Sequence, residues 1–165
     1  MIIYEEILRE FQKQRVKYVL VGGIAFNLLG GYRVTLDMDI LIEMSDKNIF
    51  KVVNILKKAG YHVRQPVDPI LIADKKTRED WIKNKHMKAF NFYKDERSYQ
   101  AVDILIDSPV SFEEAIKDAV KIDIGNLVLP VITKKKLIKM KKNTGREKDL
   151  RDIKDLKVGR KRNDL

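Results

Sequence analysis

Val21-Gly22-Gly23 and, after thirteen intervening residues, Asp37-Met38-Asp39-Ile40 decide how this chain is read. Successive side chains of a strand alternate faces, so carboxylates at i and i+2 lie on the same side and form one acidic edge. Two like charges held side by side drive one carboxyl toward its neutral form unless a counter-ion is present. A divalent cation supplies one. The Gly-Gly pair follows an apolar run, Tyr18-Val19-Leu20-Val21, and precedes a helix-like segment from Ile24 to Leu29. Glycine lets backbone amides approach a ligand closely, and a helix start adds unpaired N–H groups, which suits a phosphate. Metal carboxylates facing a phosphate-holding turn are the equipment of phosphoryl transfer.

Outward from this stretch the chain alternates strands and helices. Ile3, Ile7, Leu8 and Phe11 repeat at helical spacing across residues 2–14, and strands are expected over Val16 to Val21 and Thr35 to Glu43. Ser45-Asp46 caps a helix from Lys47 to Ala59 that Gly60 ends, and a third strand covers Tyr61 to Arg64. Residues 66–85 mix turn and helix signals around Pro66 and Pro69 and are left open as a place for substrate specificity. Lys88 to Tyr93 and Tyr99 to Ile106 read as a hairpin, and Ser111 to Val120 reads as a helix with Glu114 in the capping-box position. A small hairpin flanks Gly125. A helix runs from Thr133 through Lys142, Asn143 to Gly145 break it, and Arg146 to Leu156 form the last helix. The expectation is one mixed α/β (α+β) domain over residues 1–156, with flanking helices, a core at about 16–130, C-terminal helices at 133–156 and a basic tail at 157–165.

Composition narrows the function. The 165 residues contain no Cys, which excludes a disulfide framework, a thiolate metal site and a cysteine nucleophile. An N-terminus that is acidic within six residues and the lack of a long apolar run predict no signal peptide and no membrane span, hence a cytoplasmic protein. The net charge of +10 is concentrated: residues 133–165 hold 14 Lys and Arg against 5 Asp and Glu. Such a field attracts polyphosphate or nucleic acid, or is the solvated face of a lysine-rich helix.

Asp103, the only charge inside the apolar strand Val102-Asp103-Ile104-Leu105-Ile106, is the candidate third carboxylate, ahead of Asp107 and Glu43 at strand ends. Arg33 and Thr35 alternate onto the face of Asp37 and Asp39, so Arg33 is placed to bind triphosphate or to neutralise the carboxylates. Lys141 and Arg146 are candidate phosphate contacts. Lys141 is one of six lysines between 134 and 142, which gives it a surface reading as well. Asp149 and Asp152 are expected as ordinary helix-surface ion pairs. His62 and His86 make a weak case for metal or acid–base work, and Trp81 is expected to pack.

The Gly-Gly pair, its spacing to Asp37-Met38-Asp39 and the later Asp103 resemble the nucleotidyltransferase superfamily that shares the DNA polymerase beta palm. The segment from Gly30 to Asp39 and the later Lys141, Arg146-Glu147-Lys148-Asp149 and Asp152 resemble its small prokaryotic branch, which includes AbiEii-type toxins. The resemblance implies a Mg²⁺-dependent nucleotidyltransferase that moves a nucleoside monophosphate from an NTP to an acceptor hydroxyl. Two Mg²⁺ ions would be held by Asp37, Asp39 and Asp103, with Gly22, Gly23, Arg33, Thr35 and Arg146 around the nucleotide and Lys141 assisting catalysis. Expected acceptors are RNA or tRNA, or a protein, in a toxin–antitoxin setting with an antitoxin partner. A small-molecule acceptor of the aminoglycoside kind, and a binding domain without turnover, are the alternatives.

Overall fold

A computed structural model describes residues 3–95 and 97–158. Seven strands form one mixed sheet in the order β3-β4-β5-β2-β1-β7-β6. The elements run α1 (Glu5–Lys13), β1 (Tyr18–Val21), α2 (Gly22–Leu28), β2 (Asp37–Ile42), α3 (Asp46–Lys58), β3 (His62–Val63), a 3-10 helix (Pro69–Ala73) and α4 (Lys75–Lys85). They continue with β4 (Ala89–Tyr93), β5 (Ala101–Leu105), α5 (Phe112–Lys117), β6 (Val120–Asp123), β7 (Val128–Val131), α6 (Lys134–Thr144) and α7 (Glu147–Val158).

The centre of the sheet positions the chemistry. β1 pairs antiparallel with β2, and β2 pairs parallel with β5. β1 is buried throughout, and β4 and β5 alternate buried and half-buried positions, because one sheet face meets the core while the other borders a groove. Phe11, Phe26, Phe90, Phe92, Met38, Ile40 and Leu56 are among the largest fully buried side chains. Tyr4 ties α1 to this centre: its hydroxyl donates to the Leu36 carbonyl and accepts from the Ala101 amide at 3.0 Å.

Several boundaries differ from the sequence reading. β2 starts at Asp37 rather than Thr35, because its ladder partners begin there: Asp37 faces Ala101 on β5, and Asp39 faces Val21 on β1. The helix expected to reach Val120 stops at Lys117, since Val120 pairs with Val131 in β6–β7. α6 runs through the expected break at Asn143 and ends only where Gly145 takes φ +60°, a left-handed cap. Residues 66–85, left open in the sequence, form the 3-10 helix and α4, capped by Asp68 and Asp74. Trp81 anchors α4 by stacking on Phe90 at 5.6 Å, the packing role expected of it. α7 extends to Val158, two residues into the expected tail, and Arg160-Lys161-Arg162 lie outside the described residues.

Candidate active site

Register brings the carboxylates together. Asp39 on β2 is directly opposite Asp103 on β5, and Asp37 shares the Asp39 face two residues earlier. Burial, with the negative charges of Asp103 and Asp37, pushes the Asp39 carboxyl up to about 7, and Lys141 and Arg146 only partly offset this. Asp103 is raised too: burial and Asp37 outweigh the lowering by Asn91 and Arg64. The rivals lie elsewhere or are already paired. Glu43 sits past the far end of β2 against Lys17 (3.1 Å) and Ser45 (2.8 Å), and Asp107 is held by Lys88 at 2.6 Å.

Asp103 has an orienting relay that sequence reading missed. Asn91, its cross-strand partner on β4, donates Nδ2–H to Asp103 Oδ1 at 2.6 Å. Gln65 in turn donates to Asn91 Oδ1 at 2.7 Å and accepts from the Asn91 amide at 3.0 Å. The available signal was Asn91 itself, a polar residue between Phe90 and Phe92 at a position that alternates onto the groove face.

The two glycines have a packing reason. Gly22 takes φ +67°, and a Cβ there would lie 2.0 Å from Asp39 Oδ2. A Cβ on Gly23 would lie 2.5 Å from Thr35 Oγ1 and 2.9 Å from Arg33 Nη2. Any larger residue at either position displaces the acidic edge or the Arg33–Thr35 segment beside it. No side chain caps the start of α2, so its first amides carry no side-chain partner.

Helices α6 and α7 form the opposite wall, and here an expectation is overturned. Asp149 and Asp152 are not surface ion pairs but buried carboxylates. Lys141, only 5% exposed, sits between them, 2.6 Å from Asp152 Oδ2 and 3.8 Å from Asp149 Oδ1, with its ammonium 5.5 Å above the Phe26 ring. The surface reading of Lys141 is thereby excluded. Arg33 reaches Asp152 at 3.3 Å from the other side and lies over the same ring at 5.9 Å, so it neutralises a carboxylate of α7 rather than Asp37 or Asp39. Arg146 and Thr144 each hydrogen-bond Asp149 at 2.7 Å. Burial raises the Asp149 carboxyl, but these hydrogen bonds and Lys141 outweigh it and leave it below the ordinary range. The cause is tertiary: the turn at Gly145 folds α7 back along α6, so charged positions that look solvated on each helix meet over Phe26. Arg151 with Glu147 at 2.9 Å is a true surface pair.

Between the walls lies a groove of about 620 Å³, within the range of small-molecule sites. Gly22, Gly23, Arg33, Thr35, Asp37, Asp39, Asp103, Lys141, Arg146 and Asp149 all line it. Every expected site residue therefore borders one cavity. His62 and His86 are exposed and outside it. Among the described residues, no three acidic or imidazole side chains already close around a metal position.

The fold and groove agree with what the whole chain matches. The family model described as aminoglycoside-2''-adenylyltransferase matches residues 4–157. The chain belongs to that family. Solved structures give the same fold: a lincosamide antibiotic adenylyltransferase, LnuA, with lincomycin bound is 22% identical over 92% of each chain, with a TM-score of 0.58. ANT(2'')-Ia in complex with adenylyl-2''-tobramycin is 11% identical over 94% of this chain and 86% of its own, with a TM-score of 0.62. The solution structure of ANT(2'')-Ia is 12% identical over 93% and 80%, with a TM-score of 0.60. No protein of curated function matches the chain. Membership in the adenylyltransferase family keeps the superfamily assignment and replaces the AbiEii-type branch, and with it the toxin–antitoxin setting. No described helix is long and apolar enough to cross a membrane.

Proposed function

We propose that this adenylyltransferase-family enzyme transfers AMP from ATP to a hydroxyl of a small-molecule antibiotic. The observation that carries the reading is the in-register Asp39–Asp103 pair lining one groove with Arg33 and Arg146, supported by the family to which the chain belongs. RNA as acceptor has less support, because the matching family is described by a small-molecule acceptor and Lys141, Arg146 and Lys136 are held by carboxylates.

The acidic edge fits Mg²⁺. Two carboxylates that raise each other's affinity for a proton are equally short of a cation, and Mg²⁺ takes one or two carboxylates plus substrate phosphates rather than a closed protein cage. Asp37, Asp39 and Asp103 would hold it, and the ion supplies charge neutralisation of the triphosphate and acidification of the acceptor hydroxyl. Arg33 and Arg146 hold the triphosphate along the basic wall, with the uncapped amides of α2 opposite. Asp103, turned by Asn91, accepts the proton as the acceptor oxygen bonds to the α-phosphorus and the bond to pyrophosphate breaks. Lys141 acts from behind, keeping Asp149 and Asp152 neutralised and the wall in place.

Incubation with ATP labelled in the α-phosphate and, separately, in the γ-phosphate tests this. Label from the α-position only is expected to appear in a small-molecule antibiotic, with none in total RNA or total protein. Transfer to RNA or protein, or of the γ-label, refutes the reading.

A further inference from the structure

The charges around the groove say which kind of acceptor it takes. The lining carboxylates are Asp37, Asp39, Asp103, Asp107 and Asp149. Two of them are already neutralised, Asp107 by Lys88 at 2.6 Å and Asp149 by Arg146 at 2.7 Å. The other three form the reaction edge, where metal and triphosphate meet them. Five cations, Arg33, Lys88, Lys141, Arg146 and Lys148, line the same cavity. On the outer side of Asp103 the next residue in register is Asn91, and the one beyond it is a cation. Arg64 follows β3, its amide donates to the Asn91 carbonyl at 2.9 Å, and its guanidinium lies 5.0 Å over the Tyr93 ring. Arg64 is not itself part of the groove lining. Among the described residues, no groove carboxylate outside the reaction edge is left without a cation.

We infer that the acceptor is a hydroxylated molecule with at most one ammonium group, not a polycation, although the family model is described by aminoglycosides. A polyammonium acceptor has to exchange its hydration for unpaired carboxylates, and juxtaposed like charges reject a wrong partner. Here, among the described residues, the groove offers it no carboxylate free of a cation outside the reaction edge, on a chain of net charge +10 that opposes its approach. A sugar or amide face hydrogen-bonds to Lys88 without that opposition. The inference rests on the adenylyl-transfer reading for the identity of the site.

The test uses the full chain with Mg²⁺ and ATP and three probes: tobramycin, tobramycin with every amine acetylated and every hydroxyl kept, and lincomycin, which has a single basic amine. The expected kcat/KM is at least 10-fold higher for the acetylated compound or lincomycin than for tobramycin itself. A second arm measures tobramycin binding by calorimetry with Mg²⁺ and a non-hydrolysable ATP analogue present. The wild-type protein is expected to bind it no tighter than millimolar. Lys88→Glu, which puts a second free carboxylate beside Asp107, is expected to tighten binding at least 10-fold, and Lys88→Gln, which only frees Asp107, gives a milder form of the same gain should that variant fold poorly. Transfer to tobramycin at equal or higher kcat/KM, or micromolar wild-type binding, overturns the assignment. If none of the three accepts AMP, the calorimetric arm alone decides the charge assignment.

Discussion

Asp39 is a carboxylate kept short of charge compensation until ligand arrives. Its raised pKa of about 7 means that ionising it costs the folded state free energy. The sign follows: the unfolded carboxyl ionises near pH 4, so stability of the metal-free protein falls as pH rises from about 4 through 7 and is lowest above that. Asp39→Asn is therefore expected to raise the melting temperature of the metal-free protein at pH 7.5, by less at pH 5, while AMP transfer falls by about 10³-fold or more. Differential scanning fluorimetry at the two pH values with a parallel turnover assay checks this, and an unchanged melting temperature at pH 7.5 counts against the buried-charge account. Asn91 acts on Asp103 through a 2.6 Å hydrogen bond. Asn91→Ala is expected to lower kcat by about 10- to 100-fold, the usual cost of removing a partner that orients a ligand, with the KM for ATP within about twofold. Asp107→Asn, by contrast, leaves turnover nearly unchanged, since its partner is a lysine at the rim.

At the scale of elements, α6 and α7 work as one wall because their charges close on each other. Lys141→Ala leaves Asp149 and Asp152 buried with one cation fewer, and losing one partner of a buried pair costs about 3 to 5 kcal/mol. Chemical denaturation is expected to show a loss of that order, and turnover falls with it. Arg146→Ala is the contrasting case. Its side chain is 60% exposed and Asp149 keeps Lys141 and Thr144, so the stability loss is expected to be smaller than that of Lys141→Ala while the KM for ATP rises. Equal destabilisation by the two substitutions would show that Arg146 belongs to the wall rather than to the nucleotide. The glycine turn is likewise an element-scale device: Gly22→Ala must displace Asp39, so it is expected to lose turnover even where the protein still folds.

For the whole molecule, the proposed function has ATP with Mg²⁺ bridge the acidic sheet edge and the basic helical wall, two parts joined in the sequence by the chain from β7 into α6. Ligand that binds only the folded state stabilises it by about 2.7 kcal/mol at 100 times its dissociation constant, or about 5 to 10 °C for a domain of this size. That rise is expected with MgATP and is expected to vanish with EDTA. A rise of the same size with ATP and EDTA would show that the basic wall alone holds the triphosphate.

Sequence alone determined the acidic edge and its candidate third carboxylate. Alternation within a strand places Asp37 and Asp39 on one face whatever surrounds them, and an unpartnered charge in an apolar strand singles out Asp103. The strands and the capped helix after Ser45 were legible because each depends on patterns within a few residues. What needed tertiary structure was everything set by distance along the chain. The pairing of Asp103 with Asn91 and Gln65, the burial of Lys141 between two aspartates, and the neutralisation of Asp107 by Lys88 join residues whose local patterns give no sign of one another. A helix-surface pattern of alternating charge reads the same whether it meets water or another helix, and only the fold of α7 onto α6 above Phe26 decided that it is buried.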